Sequence, residues 1–123
     1  MPVLVADDEE QLLQLCERVL GKRGYAVLTA RNGEDAVRTF AEHRADVGAV
    51  VIDASIRPDG AASALEQILA MRRSVGVVFT SGGDLDADQR ELLLQHAGVF
   101  LRKPFPAAAL VRAIEESQPR EEV

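Results

Sequence analysis

The sequence predicts a single doubly wound α/β domain: five parallel strands in the order 2-1-3-4-5, covered on both faces by five helices. Three observations carry this prediction. Short aliphatic runs such as Val50-Val51-Ile52, typical of strands buried on both faces of a parallel sheet, occur five times along the chain. Each is followed by a segment whose apolar residues recur at helical spacing. Alternating strands and helices imply right-handed crossovers with helices on both faces, and 2-1-3-4-5 is a common order among such sheets. At 123 residues the chain can bury roughly two-thirds of its unfolded surface, enough for one core without disulfide or metal staples.

Val3-Leu4-Val5-Ala6 forms the first strand and stops at Asp7-Asp8-Glu9-Glu10, where acidic side chains suit the positive end of a helix. Leu12, Leu15, Cys16, Val19 and Leu20 give that helix its apolar stripe, and Gly21 with Gly24 ends it. Residues 25–28 read as the second strand, Asn32-Gly33 as turn and cap, and Ala36, Val37, Phe40 and Ala41 as the buried face of the second helix. The third strand spans 47–53. After a loop over 54–60, the third helix covers about 61–73 and buries Ala64, Leu65, Ile68 and Leu69. Residues 75–79 make the fourth strand, ending in Thr80-Ser81-Gly82-Gly83, and 85–96 the fourth helix with Leu92 and Leu93 inward. Val99-Phe100-Leu101 is the fifth strand and ends at Arg102-Lys103-Pro104. Pro106 suits the first position of the last helix, which buries Ala107, Leu110, Val111 and Ile114. The domain is thus read as 1–115, with 116–123 a polar, frayed tail or the start of a linker.

Composition excludes several classes of function. A net charge of -6 disfavours nucleic acid or an anionic membrane as a direct partner, since both need a basic surface. Cys16 is the only cysteine, so no internal disulfide forms and no Cys/His set has zinc spacing. No apolar run reaches membrane-spanning length, and Met1-Pro2 leads directly into a strand, so the expected location is cytoplasmic.

In the 2-1-3-4-5 order the first and third strands are neighbours at the switch point, which brings Asp7, Asp8 and Asp53 to one crevice at the C-terminal rim of the sheet. Taken alone, Asp53 is better read as a turn former or helix cap and the acidic cluster as a helix start. Together with Thr80 and Lys103 from the next two strand ends, however, they make a set of three carboxylates, a hydroxyl and an ammonium. Crowded carboxylates repel, and a hard divalent cation such as Mg²⁺, which prefers oxygen ligands and retains several waters, relieves the conflict. Lys103 and Thr80 suit a phosphoryl group in transfer, and a carboxylate can be its nucleophile.

The acidic pair after the first strand, Asp53 after the third, Thr80 after the fourth and Lys103-Pro104-Phe105 after the fifth resemble the response-regulator receiver domain of two-component signalling. The resemblance runs over almost the whole chain, from Val3 to Ile114. It implies a flavodoxin-like fold and a phosphorelay role in which Asp53 takes a phosphoryl group from the phosphohistidine of a histidine kinase or histidine phosphotransfer protein. It implies Mg²⁺ as cofactor, held directly by Asp8, Asp53 and the backbone carbonyl of Ser55 and through water by Asp7. It pairs Lys103 with the phosphate, makes the Lys103-Pro104 bond cis, and makes Thr80 and Phe100 a switch pair that remodels the surface of the fourth helix, fifth strand and fifth helix. On this reading the chain is a phosphoprotein rather than a conventional enzyme, assists its own phosphorylation and dephosphorylation, and forms a homodimer on phosphorylation. It is read as a stand-alone receiver or one belonging to a longer protein, with a lean towards a hybrid histidine kinase. Tyr25 and Phe79 are read as core, and His43 and His96 as surface residues.

One stretch departs from the family. A Met-Pro pair often follows the acceptor by three and four residues, whereas Ile56 and Arg57 stand here, with Pro58 next and Gly60 one residue early. Gly82-Gly83 makes the following loop adaptable. The altered loop leaves a degenerate receiver, used as a non-phosphorylated interaction module, as the alternative. A magnesium-dependent phosphohydrolase is a third reading, disfavoured because Ser55 stands where that chemistry wants a second acid.

Overall fold

The structure is a computed structural model that describes residues 1–58 and 60–118. Its elements run β1 (Pro2–Ala6), α1 (Glu10–Lys22), β2 (Ala26–Ala30), α2 (Gly33–Glu42), β3 (Ala49–Asp53), α3 (Ala61–Met71), β4 (Gly76–Ser81), α4 (Ala87–Gln95), β5 (Val99–Arg102) and α5 (Ala107–Ser117). The strands form one parallel sheet in the predicted order β2-β1-β3-β4-β5. Every residue of β3 is buried, because it lies between β1 and β4 with helices above and below. One core layer joins Leu4, Val50, Ile52, Val77 and Phe79 to Phe40 of α2, Leu65 and Ile68 of α3, and Leu92 of α4. The other joins Val3, Val5, Val51 and Val78 to Leu13, Cys16 and Leu20 of α1 and to Leu110 and Ile114 of α5.

Several local expectations shift. In α1 the buried stripe is Leu13, Cys16 and Leu20, whereas Leu15 is 41% exposed. The apolar arc of this helix is wider than the face it buries, so periodicity alone does not choose the centre of the stripe. Ala41 and Ala107 are exposed, since each lies on the outer side of its helix. Pro106 is the N-cap of α5, with extended backbone (ψ 156°), so the first helical residue is Ala107. Asn32 does cap α2, its side chain accepting from the Asp35 N–H at 2.7 Å. Strand β4 extends through Thr80 and Ser81, which places Thr80 within the ladder opposite Asp53. Likewise α4 starts at Ala87, behind an Asp86 N-cap. Tyr25 is half-buried against the α1–α5 layer, and Phe79 is fully buried.

At its C-terminal end α5 continues past the expected boundary. Ser117 is buried and its Oγ donates to the Ile114 carbonyl at 2.7 Å, while Gln118 Nε2 donates to the Gly48 carbonyl at 3.2 Å. The rest of the expected tail, 119–123, lies outside the described residues. This close approach explains Gly76. A Cβ there would sit 2.5 Å from Ser117 Oγ and 2.9 Å from the Ser117 carbonyl oxygen. Gly76→Ala is therefore expected to cost about 1–3 kcal/mol by pushing α5 off the sheet. Gly21→Ala, on a helical position with nothing within 4 Å, is expected to gain about 0.5–1 kcal/mol. Urea melts of the two variants check both signs.

Candidate functional site

Because all five strands are parallel, their C-terminal ends share one rim, and the residues leaving β1, β3, β4 and β5 meet there. Asp7 directly follows β1, and its N–H donates to the Ala30 carbonyl at 3.0 Å, extending the β1–β2 ladder by one residue. Its side chain is almost wholly buried. Oδ1 accepts from the Glu9 N–H at 2.9 Å and Oδ2 from Lys103 Nζ at 2.8 Å. Asp53 ends β3 and is also buried, with Oδ1 3.3 Å from Lys103 Nζ and Oδ2 accepting from the Ser55 hydroxyl at 2.9 Å. Asp8 is exposed at the mouth. Asp7, Asp8 and Asp53 each present a carboxylate oxygen, and these oxygens all lie within 4.8 Å of one another.

The electrostatics follow from this crowding. Burial is the main cause that pushes the Asp7 carboxyl above its ordinary range, outweighing its hydrogen bonds from Lys103 and Glu9. For Lys103 burial is also the largest single influence and favours the neutral amine. The hydrogen bond and charge of Asp7, with the charge of Asp53, together outweigh it and hold the ammonium above its ordinary range. Cys16, beneath the site, is pushed up to about 11 by burial and then by the Asp7 charge, so it stays a thiol. One ammonium thus pairs with two of three clustered carboxylates, and hard oxygen donors at this spacing fit a divalent cation of the Mg²⁺ class.

Thr80 is buried opposite Asp53 in the β3–β4 register, and its carbonyl accepts from the Ala54 N–H at 2.8 Å. Lys103 is anchored by its own N–H to the Ser81 carbonyl at 2.8 Å, and the Lys103-Pro104 bond is cis. A second cis bond, Arg57-Pro58, lies in the departing loop. There Ile56 is fully buried and the Arg57 carbonyl accepts from the Gly33 N–H at 2.7 Å, which ties the loop to the start of α2. Phe100 is partly exposed on β5, with the Arg102 guanidinium 5.6 Å from its ring centre. Arg102 also pairs with Asp84 of the β4–α4 loop at 3.1 Å. His43 and His96 are helix C-caps, away from the rim. Gln89, a buried side chain of α4 that reaches the loop after β3, escaped the sequence reading; its signal was the capping pattern Asp86-x-x-Gln89.

The response regulator receiver domain family matches residues 3–115. Transcriptional regulatory protein PrrA of Mycobacterium tuberculosis is 34% identical over 113 residues, covering 92% of this chain and 48% of that protein. Sensor kinase CckA of Brucella abortus is 29% identical over 114 residues, covering 93% of this chain and 12% of that protein. The chain therefore spans half or less of the length of these relatives. Among solved structures, a response regulator receiver domain protein from Clostridium thermocellum superposes with a TM-score of 0.79 at 28% identity, over 94% of this chain and 92% of that one. The receiver domain of the hybrid histidine kinase CckA gives a TM-score of 0.81 at 22% identity, over 97% of this chain and 100% of that one, and so shares the fold. With the family matched almost end to end, the sheet order reproduced and the carboxylates and lysine gathered on one rim, this chain belongs to the response regulator receiver domain family.

Proposed function

We propose that Asp53 is a phosphoacceptor that takes a phosphoryl group from the phosphohistidine of a histidine kinase or phosphotransfer protein in a Mg²⁺-dependent reaction. The observation that carries this reading is the pair of surroundings of one carboxylate: Asp53 Oδ1 lies 3.3 Å from the Lys103 ammonium, and two further carboxylates offer oxygens within 4.8 Å. An Asp53 oxygen attacks phosphorus, the P–N bond to imidazole breaks, and the imidazole leaves and regains a proton from water; an acyl phosphate remains. Asp8 and Asp53, with the Ser55 carbonyl and Asp7 through water, would hold the magnesium ion, which supplies positive charge to the phosphoryl oxygens. Lys103 offers a second positive charge to those oxygens, and Thr80 a hydroxyl donor. As the hydroxyl moves inward, Phe100 follows, and the surface of α4, β5 and α5 changes shape. Such a change supports a partner switch or a homodimer on phosphorylation.

The acidic net charge favours a protein partner over direct contact with nucleic acid, and a cytoplasmic setting suits a phosphohistidine donor. Among the described residues no helix is long and apolar enough to cross a membrane. Incubation with a small phosphodonor and Mg²⁺ is expected to add one phosphoryl mass at Asp53. No addition would favour the interaction-module reading, and rapid turnover the phosphohydrolase reading. Mg²⁺ alone is expected to raise the melting temperature, since a ligand of the folded state stabilises it, and Asp8→Asn is expected to lose most of that rise. An unchanged rise in Asp8→Asn would place the ion elsewhere.

A further inference from the structure

Outside the rim, the described residues include two buried polar side chains, Ser117 and Gln89. Ser117 bonds within its own helix. Gln89 instead joins two elements that are 35 residues apart in sequence. Its Oε1 accepts from the Asp86 N–H at 3.0 Å, closing the capping box of α4, and its Nε2 donates to the Ala54 carbonyl at 2.7 Å. Only this orientation of the carboxamide satisfies both partners, because one is a donor and the other an acceptor.

Ala54 is the residue after Asp53. Its N–H is held by Thr80, and its carbonyl accepts a second bond from the Ala61 N–H, the first residue of α3, at 3.3 Å. One carbonyl next to the acceptor therefore carries the starts of both α3 and α4. Helix α4 has little else to hold it: Leu92 is its one buried apolar residue, Leu93 is partly buried, and Leu94 is 82% exposed. A helix so lightly packed follows whatever its N-terminus is fastened to.

We propose that Gln89 is a positioning residue that tethers α4 to the acceptor loop, so that a displacement at Ala54 moves the N-terminus of α4 directly. This inference rests on Asp53 being the phosphoacceptor. It differs from a route through Thr80 and Phe100, because it needs neither the hydroxyl nor the ring. A buried carboxamide bond of this kind couples the two segments in whichever state the loop adopts, and removing the donor uncouples them.

Gln89→Glu separates the two duties of the side chain. A glutamate at this position keeps the acceptor for the Asp86 N–H and suits a helix start, yet it has no N–H to give Ala54. Gln89→Leu removes both bonds while keeping an apolar body. The test is titration of wild type and both variants with beryllofluoride and Mg²⁺, following the bound fluorine signal and the amide shifts of Ala87–Gln95 by NMR. Beryllofluoride is expected to bind all three proteins, while the induced shifts across α4 fall by more than half in both variants and those of β4 persist. Full-sized α4 shifts in Gln89→Glu and Gln89→Leu, with fluorine bound, would overturn the tether. Hydrogen exchange of the α4 amides before addition checks that the helix is still formed in Gln89→Glu; if it is not, the Gln89→Leu comparison decides. Absence of bound fluorine in the wild type would instead count against Asp53 as acceptor.

Discussion

Asp53→Asn is expected to abolish acyl-phosphate formation while leaving the fold intact and slightly more stable. The substitution keeps the shape of the side chain, so the buried position at the end of β3 is still filled, and Asn Oδ1 still accepts from Lys103 or from the Ser55 hydroxyl. What is lost is the carboxylate proposed as the nucleophile. What is gained is relief of repulsion among three carboxylates whose oxygens lie within 4.8 Å. Two effects oppose each other: the charge of Asp53 attracts Lys103 at 3.3 Å but repels Asp7 and Asp8. Because Lys103 keeps its shorter contact to Asp7 at 2.8 Å, relief of repulsion is the larger effect, and a small gain in stability, no more than about 1 kcal/mol, is expected. Intact-mass analysis after incubation with a small phosphodonor and Mg²⁺, beside a urea melt, measures both. Undiminished labelling of the variant at an aspartyl residue would show that another carboxylate is the acceptor.

Lys103→Met is expected to be the more damaging change to stability. It strands Asp7, whose side chain is 2% exposed, with only the Glu9 N–H for company. Removing one partner of a buried pair costs about 3–5 kcal/mol, and the lower end applies here because Lys103 itself is 22% exposed. The pH dependence has two signs. Lys103 titrates above its ordinary 10.5 in the folded state, so the stability it contributes is complete below that value and is lost as pH rises through the raised one. Asp7 is raised above its ordinary 3.8, so ionising it costs stability; the cost is full above its raised value and disappears as pH falls towards 3.8. In Lys103→Met the Asp7 value rises further, so the deficit against wild type is greatest at neutral pH and shrinks on either side. Urea midpoints across pH test this, with Asp7→Asn/Lys103→Met as the control that should recover much of the loss. Equal midpoints for wild type and Lys103→Met at neutral pH would mean that the pair contributes nothing.

Much of the fold was legible because it rests on local pattern. A strand buried on both faces has to be aliphatic throughout, and a helix laid on a sheet has to repeat its apolar residues at helical spacing, so each element announced its type. Boundaries were less legible. Ser81 and Arg102 belong to strands only because each lies opposite the other in the β4–β5 register. The centre of the α1 stripe depends on how α1 sits against β1 and α5, and its apolar arc is compatible with several settings.

The candidate site divides along the same line. The sequence by itself determined that three carboxylates, a threonine and a lysine stand at strand ends, and the parallel direction that helical crossovers impose then brings those ends to one rim. Only the tertiary structure decided how the charges are shared. Lys103 bridges Asp7 and Asp53, the Ser55 hydroxyl occupies the other Asp53 oxygen, and Gln89 fastens α4 to the carbonyl of Ala54. Lys103 and Asp7 are 96 residues apart in sequence, Gln89 and Ala54 35. No local periodicity encodes such pairs, because a hydrogen bond between distant segments depends on distances of a few tenths of an ångström that are set by how the helices settle on the sheet.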